Sequence, residues 1–313
     1  LYPEAQPRHS GFLQVSGLHK LYVETYGNQE GVPVICIHGG PGAGGNASHA
    51  RCFDLKHYYV IVYDQRGAKR SMPFGELEDN TTQDLISDIE QIRKHFNVEQ
   101  WLVSGGSWGG ALALAYGQSF PGQCLGFILR GTFLADKSAV AHIFTHARKQ
   151  YPEYWDAMVA HIPVDERDDL LCAFTKRVMD PDPAVQMAAA KAFMLYDLSA
   201  STLVPNPELV EEIMSDSRVT LGVARLFTHY ARNDFFLEEG ELISKCNVIA
   251  HLPAYIVHGR HDGLCPVSNG YDLHKAWPGS KCHIAESTGH SFAEPGIQKG
   301  LVAASEALKR VLL

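Results

Sequence analysis

The stretch Gly105-Gly106-Ser107-Trp108-Gly109 decides the fold of this chain. It follows the apolar run Trp101–Val103 and opens the small-residue segment Trp108–Gln118. The run is typical of a buried strand and the segment is typical of a helix, so the stretch predicts a sharp strand-to-helix turn. Such a turn strains the backbone of the serine and lifts its hydroxyl clear of the sheet. We therefore interpret Ser107 as a candidate nucleophile, in preference to an ordinary residue of a glycine-rich turn.

Apolar runs and helical segments alternate on both sides of this turn. The segment Asn80–Phe96 repeats apolar residues at helical spacing, and either Thr81 or Thr82 is expected to cap it. Continuous β-branched runs are typical of strands that are buried on both faces of a parallel sheet. The alternation predicts an α/β fold, with a mostly parallel sheet flanked by helices. Strands are expected at Val34–Ile37, Val60–Tyr63, Trp101–Val103, Leu125–Leu129, Ala254–Val257 and Lys281–Ala285.

A long helical stretch interrupts this alternation. Between residues 133 and 249 few segments look like strands, and alternation resumes only afterwards, ending in a predicted helix at Lys299–Leu312. We predict a catalytic core of residues 1–132 and 250–313 and a helical cap of residues 133–249. A cap above the carboxyl ends of the strands would lie where open α/β sheets bind substrates. Its helices are expected at Ala139–Gln150, Glu166–Met179, Ala184–Leu195 and Pro207–Met214.

A nucleophilic serine needs a base, and the base needs an acid to orient it. Asp262 follows the predicted strand Ala254–Val257, and His290 follows the next strand. This order of serine, acid and histidine is the one that serine hydrolases with a strand-to-helix elbow use. His261 is the main alternative base, but it precedes the acid and breaks the order. We therefore predict Ser107, Asp262 and His290 as the catalytic residues.

The loop His38-Gly39-Gly40-Pro41-Gly42 follows the first predicted parallel strand. It resembles the glycine-rich loop that supplies one backbone donor of an oxyanion hole. We expect the N–H groups of Gly40 and Trp108 to form that hole, with Gly39 as the alternative to Gly40. Loop, elbow and triad in this order predict the α/β-hydrolase fold.

Composition excludes several other classes of protein. The net charge of −8 argues against nucleic acid or an anionic membrane as a partner. The seven cysteines are scattered without the spacing of a metal site, so we expect no metal, no organic cofactor and reduced thiols. The first ten residues lack an apolar signal segment, and no apolar run approaches the about 18 residues of a membrane span. A cytoplasmic location is therefore predicted.

Characteristic motifs run nearly from end to end of the chain: Leu1–Glu4, His38–Gly42, Asp64–Gly67, Asn80–Thr82, Gly105–Gly109, Leu129–Gly131, Ala188–Ala192, Asp272–Pro278 and Gly289–Ser291. With these motifs the chain closely resembles the proline iminopeptidase family of α/β-hydrolase serine peptidases. This resemblance implies that Ser107, Asp262 and His290 form the triad, that the helical insertion is a cap, and that Arg130 and Phe133 line the substrate pocket.

The chain departs from the family pattern where that family binds a substrate amino group. A Trp-Glu pair of the family is Tyr196-Asp197 here, so the carboxylate is one methylene shorter. A second family glutamate is replaced by Phe227, and a glycine of the motif that begins at Asp64 is replaced by Lys69. Tyr196, Asp197 and Phe227 are therefore predicted to bind substrate. Either the selectivity has moved away from N-terminal proline, or a rearranged pocket still accepts prolyl substrates through Asp197 alone. Losing one of two carboxylates weakens the capture of an amine, and an aromatic ring favours a bulkier or uncharged group.

The sequence thus predicts a serine hydrolase that transfers an acyl group to water. Its expected substrate is a small molecule or short peptide, an amide or an N-terminal prolyl-like residue. The alternative is a divergent hydrolase or acyltransferase that acts on an amide or ester of a specialised metabolite. A non-catalytic binding protein is disfavoured by the complete set of catalytic residues. The sequence makes no prediction of oligomeric state.

Overall fold

In the computed structural model, which describes residues 1–312, the chain forms one eight-stranded sheet. The sheet runs in the order β1-β2-β4-β3-β5-β6-β7-β8. Its strands are β1 (His9–Gln14), β2 (Lys20–Gly27), β3 (Val32–Ile37), β4 (Tyr58–Tyr63), β5 (Trp101–Gly106), β6 (Cys124–Arg130), β7 (Ala254–Gly259) and β8 (Lys281–Ala285).

The six strands from β3 to β8 pair in parallel, as the apolar runs predict. Alternate residues of β3 lie in two separate clusters of buried side chains, Ile35 and Ile37 in one and Val34 and Cys36 in the other. Since successive side chains of a strand point to opposite faces, both faces of the sheet are covered. The predicted α/β-hydrolase fold with a mostly parallel sheet is confirmed.

The hairpin of β1 and β2 is antiparallel, and β2 joins the sheet beside β4. The apolar pattern does not reveal these strands, since β1 is an edge strand whose residues are exposed or half-buried. The candidate site depends on the parallel strands, because the carboxyl ends of β3, β5, β7 and β8 lie along the same edge of the sheet.

Within residues 1–312, twelve α-helices accompany the sheet. Thr81, not Thr82, caps the second of them, and a capping box with Asp84 fixes its start. The helices are α1 (Ala47–Ala50), α2 (Thr82–His95), α3 (Trp108–Ser119), α4 (Lys137–Ala141), α5 (Pro152–Ala160), α6 (Leu170–Val178), α7 (Pro183–Ser201), α8 (Pro207–Ser215), α9 (Ser217–Arg232), α10 (Glu241–Ser244), α11 (Val267–Ala276) and α12 (Pro295–Lys309).

Helices α4 to α10 lie between β6 and β7, in the segment predicted as a cap. The predicted helix Ala139–Gln150 is irregular, because α4 passes into a π turn at His142–His146 and a 3-10 turn at Ala147–Lys149. Helices α5, α9 and α10 of this segment were not predicted. The division at residues 133 and 249 stays a prediction. Within residues 1–312 no helix is both long and apolar enough to cross a membrane.

Candidate active site

Ser107 stands alone between β5 and α3, in a backbone conformation that serine seldom adopts. Its φ is 56° and its ψ is −128°. A positive φ strains the backbone of a serine, and it persists only where the surrounding structure enforces it. Glycine is required two residues before and after it. A β-carbon at Gly105 would overlap the carbonyl oxygen of Gly109, and one at Gly109 would overlap that of Ile37. The turn is therefore the sharp elbow that the sequence predicts.

Asp262 and His290 meet at the carboxyl ends of β7 and β8. The Asp262 Oδ2 atom lies 2.7 Å from His290 Nδ1, and both residues are only 6% exposed. Ser107 and His290 line the same cavity. His261, the alternative base, is exposed and lies outside that cavity. The structure thus brings together the serine, acid and histidine that the chain order selects.

The other oxygen of Asp262 is held by backbone donors. Its Oδ1 atom accepts hydrogen bonds from the N–H groups of Leu264 at 3.0 Å and Cys265 at 2.7 Å. Burial alone would raise the pKa of Asp262, but the charge of His290 and the hydrogen bonds from two histidine rings outweigh it, so the pKa lies below its usual value. This carboxylate is therefore ionised and fixed in orientation.

His258 is a second ring on the same carboxylate, and the sequence analysis missed it. Its Nδ1 accepts from the N–H of Thr132 at 3.2 Å, so in the neutral ring Nε2 carries the proton. That proton points at Asp262 Oδ2, 3.2 Å away, and at the carbonyl of Cys265, 2.9 Å away. A histidine inside an otherwise apolar strand was the available signal. His258 holds the acid and does not face the substrate.

The loop after β3 is tied to the elbow through Gln65. The Gln65 side chain donates to the carbonyl of His38 at 2.7 Å and accepts from Trp108 Nε1 at 2.9 Å. The backbone N–H of Gln65 donates to His38 Nε2, and His38 Nδ1 lies 2.9 Å from the Gly39 carbonyl oxygen and 3.2 Å from the N–H of Gly44, so the Gly39 carbonyl faces the ring. In a trans peptide this turns the N–H of Gly40 the opposite way.

Two free backbone donors flank Ser107. Neither the N–H of Gly40 nor that of Trp108 makes a hydrogen bond with any residue in the described chain. Trp108 is the first residue of α3, where N–H groups have no partner within the helix. Gly39 lies against Ser107, since a β-carbon on it would be 3.2 Å from the serine β-carbon. These donors have the properties that the predicted oxyanion hole requires.

A cavity of about 620 Å³ opens beside Ser107, between the sheet edge and helices α7, α8 and α9. Tyr196 is the one predicted pocket residue that the structure does not bring to its wall. That side chain is fully buried, and its hydroxyl donates to the carbonyl of Ile143 at 2.7 Å. The predicted residues whose side chains line the cavity are Ser107, Arg130, Phe133, Asp197, Phe227 and His290.

Asp197 is a carboxylate inside this cavity without a hydrogen-bond or ion-pair partner among residues 1–312. Burial, only partly offset by the nearby His290, raises its pKa to about 6. When it is ionised, the Asp197 carboxylate has no cation paired with it among the described residues. It is therefore suited to bind a positively charged part of a ligand.

Phe227 belongs to an aromatic cluster that forms an apolar wall of the cavity. Its ring stacks on Phe193 with centroids 5.3 Å apart, and it contacts Phe144 and Phe235 at 6.2 and 6.3 Å. Phe133 in turn packs on Phe235 at 5.0 Å. This part of the pocket is apolar, so it fits a hydrophobic group and disfavours an uncompensated charge.

Cys265 lies close to the candidate catalytic residues Asp262 and His290. Its thiol, the Asp262 carboxylate and the His290 ring have ligand atoms within 4.8 Å of one another, a possible arrangement for a metal ion. Coordination there would displace the hydrogen bond between Asp262 and His290. Burial raises the pKa of the Cys265 thiol well above its usual value, so it is a neutral, weak ligand.

Comparisons with known proteins agree with this fold. Residues 32–296 match the family described as alpha/beta hydrolase fold. The chain is 42% identical to a proline iminopeptidase of Arabidopsis thaliana, covering 100% of this chain and 83% of that protein. It is 40% identical to a probable proline iminopeptidase of Leptolyngbya boryana, covering 98% and 96%. It is 38% identical to a proline iminopeptidase of Neisseria gonorrhoeae, covering 100% of both.

Solved structures share the fold at lower sequence identity. A proline iminopeptidase of Mycobacterium smegmatis aligns with a TM-score of 0.63 and 21% identity, covering 97% of this chain and 96% of that one. A putative aryl esterase from Burkholderia cenocepacia aligns with a TM-score of 0.68 and 15% identity, covering 97% and 99%. Identity of about 40% with several relatives along the whole chain establishes that this protein is a serine hydrolase that belongs to the proline iminopeptidase family.

Proposed function

We propose that the enzyme removes one N-terminal residue, proline or a residue of similar size, from a short peptide through an acyl-enzyme on Ser107. The observation that carries this proposal is the unpaired carboxylate of Asp197, which lines the same cavity as Ser107 and His290. A substrate with a free amino or imino group supplies the cation that this carboxylate lacks.

The proposed reaction uses two proton transfers through His290. The Ser107 oxygen attacks the carbonyl carbon of the N-terminal residue while His290 Nε2 takes the hydroxyl proton. His290 then gives that proton to the leaving amine as the C–N bond breaks, and water completes the cycle on the acyl-enzyme. Asp262 keeps the other ring nitrogen protonated and oriented. The N–H groups of Gly40 and Trp108 hold the developing oxyanion, and each such donor is typically worth about 10²–10³ in kcat.

Asp197→Asn is expected to lower kcat/KM for prolyl and alanyl arylamides by about 100-fold, mainly through KM. The substituted amide keeps the size of the side chain but leaves the substrate ammonium without a counter-charge in a buried site, a loss of about 2–5 kcal/mol. Steady-state kinetics on an aminoacyl-arylamide panel measure it. Asp165→Asn, on the exposed surface of the cap, is the matched control. An unchanged KM in Asp197→Asn would rule out this role.

The pH dependence of KM tests the same carboxylate in the unmodified enzyme. Since the pKa of Asp197 is raised to about 6, the side chain is ionised above pH 6 and becomes protonated as the pH falls through that value. We expect KM for prolyl arylamide to be about tenfold higher at pH 5 than at pH 7. This KM change should disappear in Asp197→Asn. A KM that is flat with pH in the wild type contradicts the assignment.

Phe227 favours a second candidate function. Its ring takes part in the aromatic wall of the cavity, where a second carboxylate would strengthen amine capture. A divergent hydrolase or acyltransferase acting on an uncharged amide or ester of a specialised metabolite fits such a wall. The panel therefore includes esters without an amino group and competing amine acceptors, run on the wild type and on Phe227→Glu. Faster turnover of the uncharged esters, or transfer to an acceptor in place of water, would support this second function.

A further inference from the structure

The charged residues that line the cavity are separated by sign. The acidic residues come from helices α7 and α8 and the start of α9, whereas the basic residues other than His290 come from the core, at α1, the loop after β4 and the end of β6. A ligand that is positive at one end and negative at the other would match this separation. The acidic residues are Asp197, Glu212 and Asp216, and the basic ones are His49, Arg51, Lys69 and Arg130.

Three of the four basic residues already have partners or carry no charge. Arg51 donates to the carbonyl of Tyr2 at 2.8 Å and pairs with Glu4 at 3.2 Å. Arg130 donates to the carbonyl of His290 at 3.1 Å, which ties it to the catalytic loop. Burial, together with the charge of Arg130, lowers the pKa of His49 to about 3, so His49 is neutral at physiological pH.

Lys69 is the exception. Its ammonium makes no hydrogen bond or ion pair with the residues from 1 to 312, and its side chain is half-buried in the cavity wall. The aliphatic stem lies along Gly44, where an added β-carbon would be 2.7 Å from the lysine β-carbon and 2.8 Å from its δ-carbon. Gly44 closes the loop that begins at His38 and contains Gly40. The stem of Lys69 is therefore held against the loop that carries the proposed donor Gly40, in the cavity that Ser107 also lines.

The backbone conformation at Lys69 is unfavourable for a lysine. Its φ is 38°, in the left-handed region where glycine is favoured and where a long side chain is strained. The motif that this segment resembles has glycine at the same place. A strained, unpaired cation lining a cavity is a poor stabiliser of the fold, so its presence points to a ligand.

We propose that Lys69 binds the C-terminal carboxylate of the peptide substrate, so that the preferred substrates are free dipeptides and tripeptides. This inference rests on the proposed function. With the substrate amine at Asp197 and its carbonyl at Ser107, the leaving group extends away from the cap and toward the core wall. In a dipeptide or tripeptide that leaving group carries the carboxylate. An ammonium is a point charge with three donors, which suits a carboxylate reached from several directions.

The test compares prolyl-alanine with prolyl-alanine amide, which differ only in the terminal charge, and uses prolyl arylamide as the reference substrate. The wild type is expected to prefer the free acid about tenfold in kcat/KM, mostly through KM, as a charge-assisted hydrogen bond typically provides. Raising ionic strength should reduce this preference. Lys69→Met should bring the two peptides level, and Lys69→Arg should keep the preference.

Two further variants keep the result interpretable. Lys94→Met removes an exposed lysine of α2 outside the cavity and should leave every ratio unchanged. Lys69→Gly suits the left-handed backbone, so it tests the loss of the charge without added strain. Hydrolysis of all three substrates with equal kcat/KM for acid and amide, or a preference that survives in Lys69→Met and Lys69→Gly, overturns this inference alone. Failure of the wild type to cleave prolyl arylamide or either peptide overturns the proposed function and this inference together.

Discussion

Replacing Ser107 by alanine is expected to lower kcat/KM for the best aminoacyl arylamide by at least about 10⁴-fold. Alanine removes the single oxygen that forms the acyl-enzyme and leaves the cavity, Asp197 and the backbone donors in place. Substrate should still bind, so the loss should fall on kcat. Rapid-mixing kinetics should also lose any burst of released arylamine, because no acyl-enzyme accumulates.

A matched serine distinguishes this effect from a general disturbance of the elbow. Ser104 lies in β5, three residues before Ser107, and makes no side-chain hydrogen bond within the described residues. Ser104→Ala should therefore keep nearly full activity. A fluorophosphonate probe should label the wild type and Ser104→Ala but not Ser107→Ala. Activity of Ser107→Ala within tenfold of the wild type, on a folded protein, would remove Ser107 from the reaction.

The sequence predicts the parts of the fold where one local rule decides the structure. The run Lys281–Ala285 is a strand with the bounds expected from its pattern. The elbow at Ser107 is also found as expected, because glycines two residues away are required by direct contact between backbone segments. The strand pattern and the contact between Gly105 and Gly109 involve neighbours in the chain, and only the contact of Gly109 with Ile37 joins distant residues.

Features that depend on residues distant in the chain were harder to predict from the sequence. The strand Lys20–Gly27 is held by pairing with β1 and β4 rather than by its own pattern. Tyr196 directly precedes the cavity residue Asp197, yet the helical turn directs its side chain into the core. There its hydroxyl donates a hydrogen bond to the carbonyl of Ile143. Position in a motif predicts which segment is near a site, whereas side-chain direction depends on the packing of the whole helix.

The supports of the catalytic residues form a further class that sequence spacing does not reveal. Gln65, in the loop after β4, faces the oxyanion loop, and His258, near the end of β7, faces the acid. Their roles follow only from hydrogen bonds whose direction is fixed by third residues. His258, for example, has its proton on Nε2 because Thr132 donates to Nδ1. The same reasoning makes a sharp prediction for Asp262.

Asp262→Asn is expected to lower kcat by about 10⁴-fold, the loss that is typical when the orienting acid of such a triad becomes an amide. The backbone N–H groups of Leu264 and Cys265 both donate to Oδ1, so the single carbonyl oxygen of asparagine must remain there. The amide NH₂ then replaces Oδ2 and faces His290 Nδ1. That nitrogen becomes an acceptor, which moves the ring proton to Nε2, the atom that must accept the proton of Ser107.

His258 sharpens this expectation, because its Nε2–H also points at the Oδ2 position and would meet the same NH₂ group. The substitution therefore places two donors against each other in a buried site, a destabilisation of about 1–3 kcal/mol. Thermal unfolding of Asp262→Asn and of the exposed control Asp272→Asn measures it. Asp262→Ala has no amide to impose the wrong tautomer, so His290 can still present Nε2 as an acceptor in part of the population. Asp262→Ala should consequently be at least as active as Asp262→Asn. If Asp262→Asn is clearly the more active of the two, the carboxylate acts through something other than the tautomer of His290.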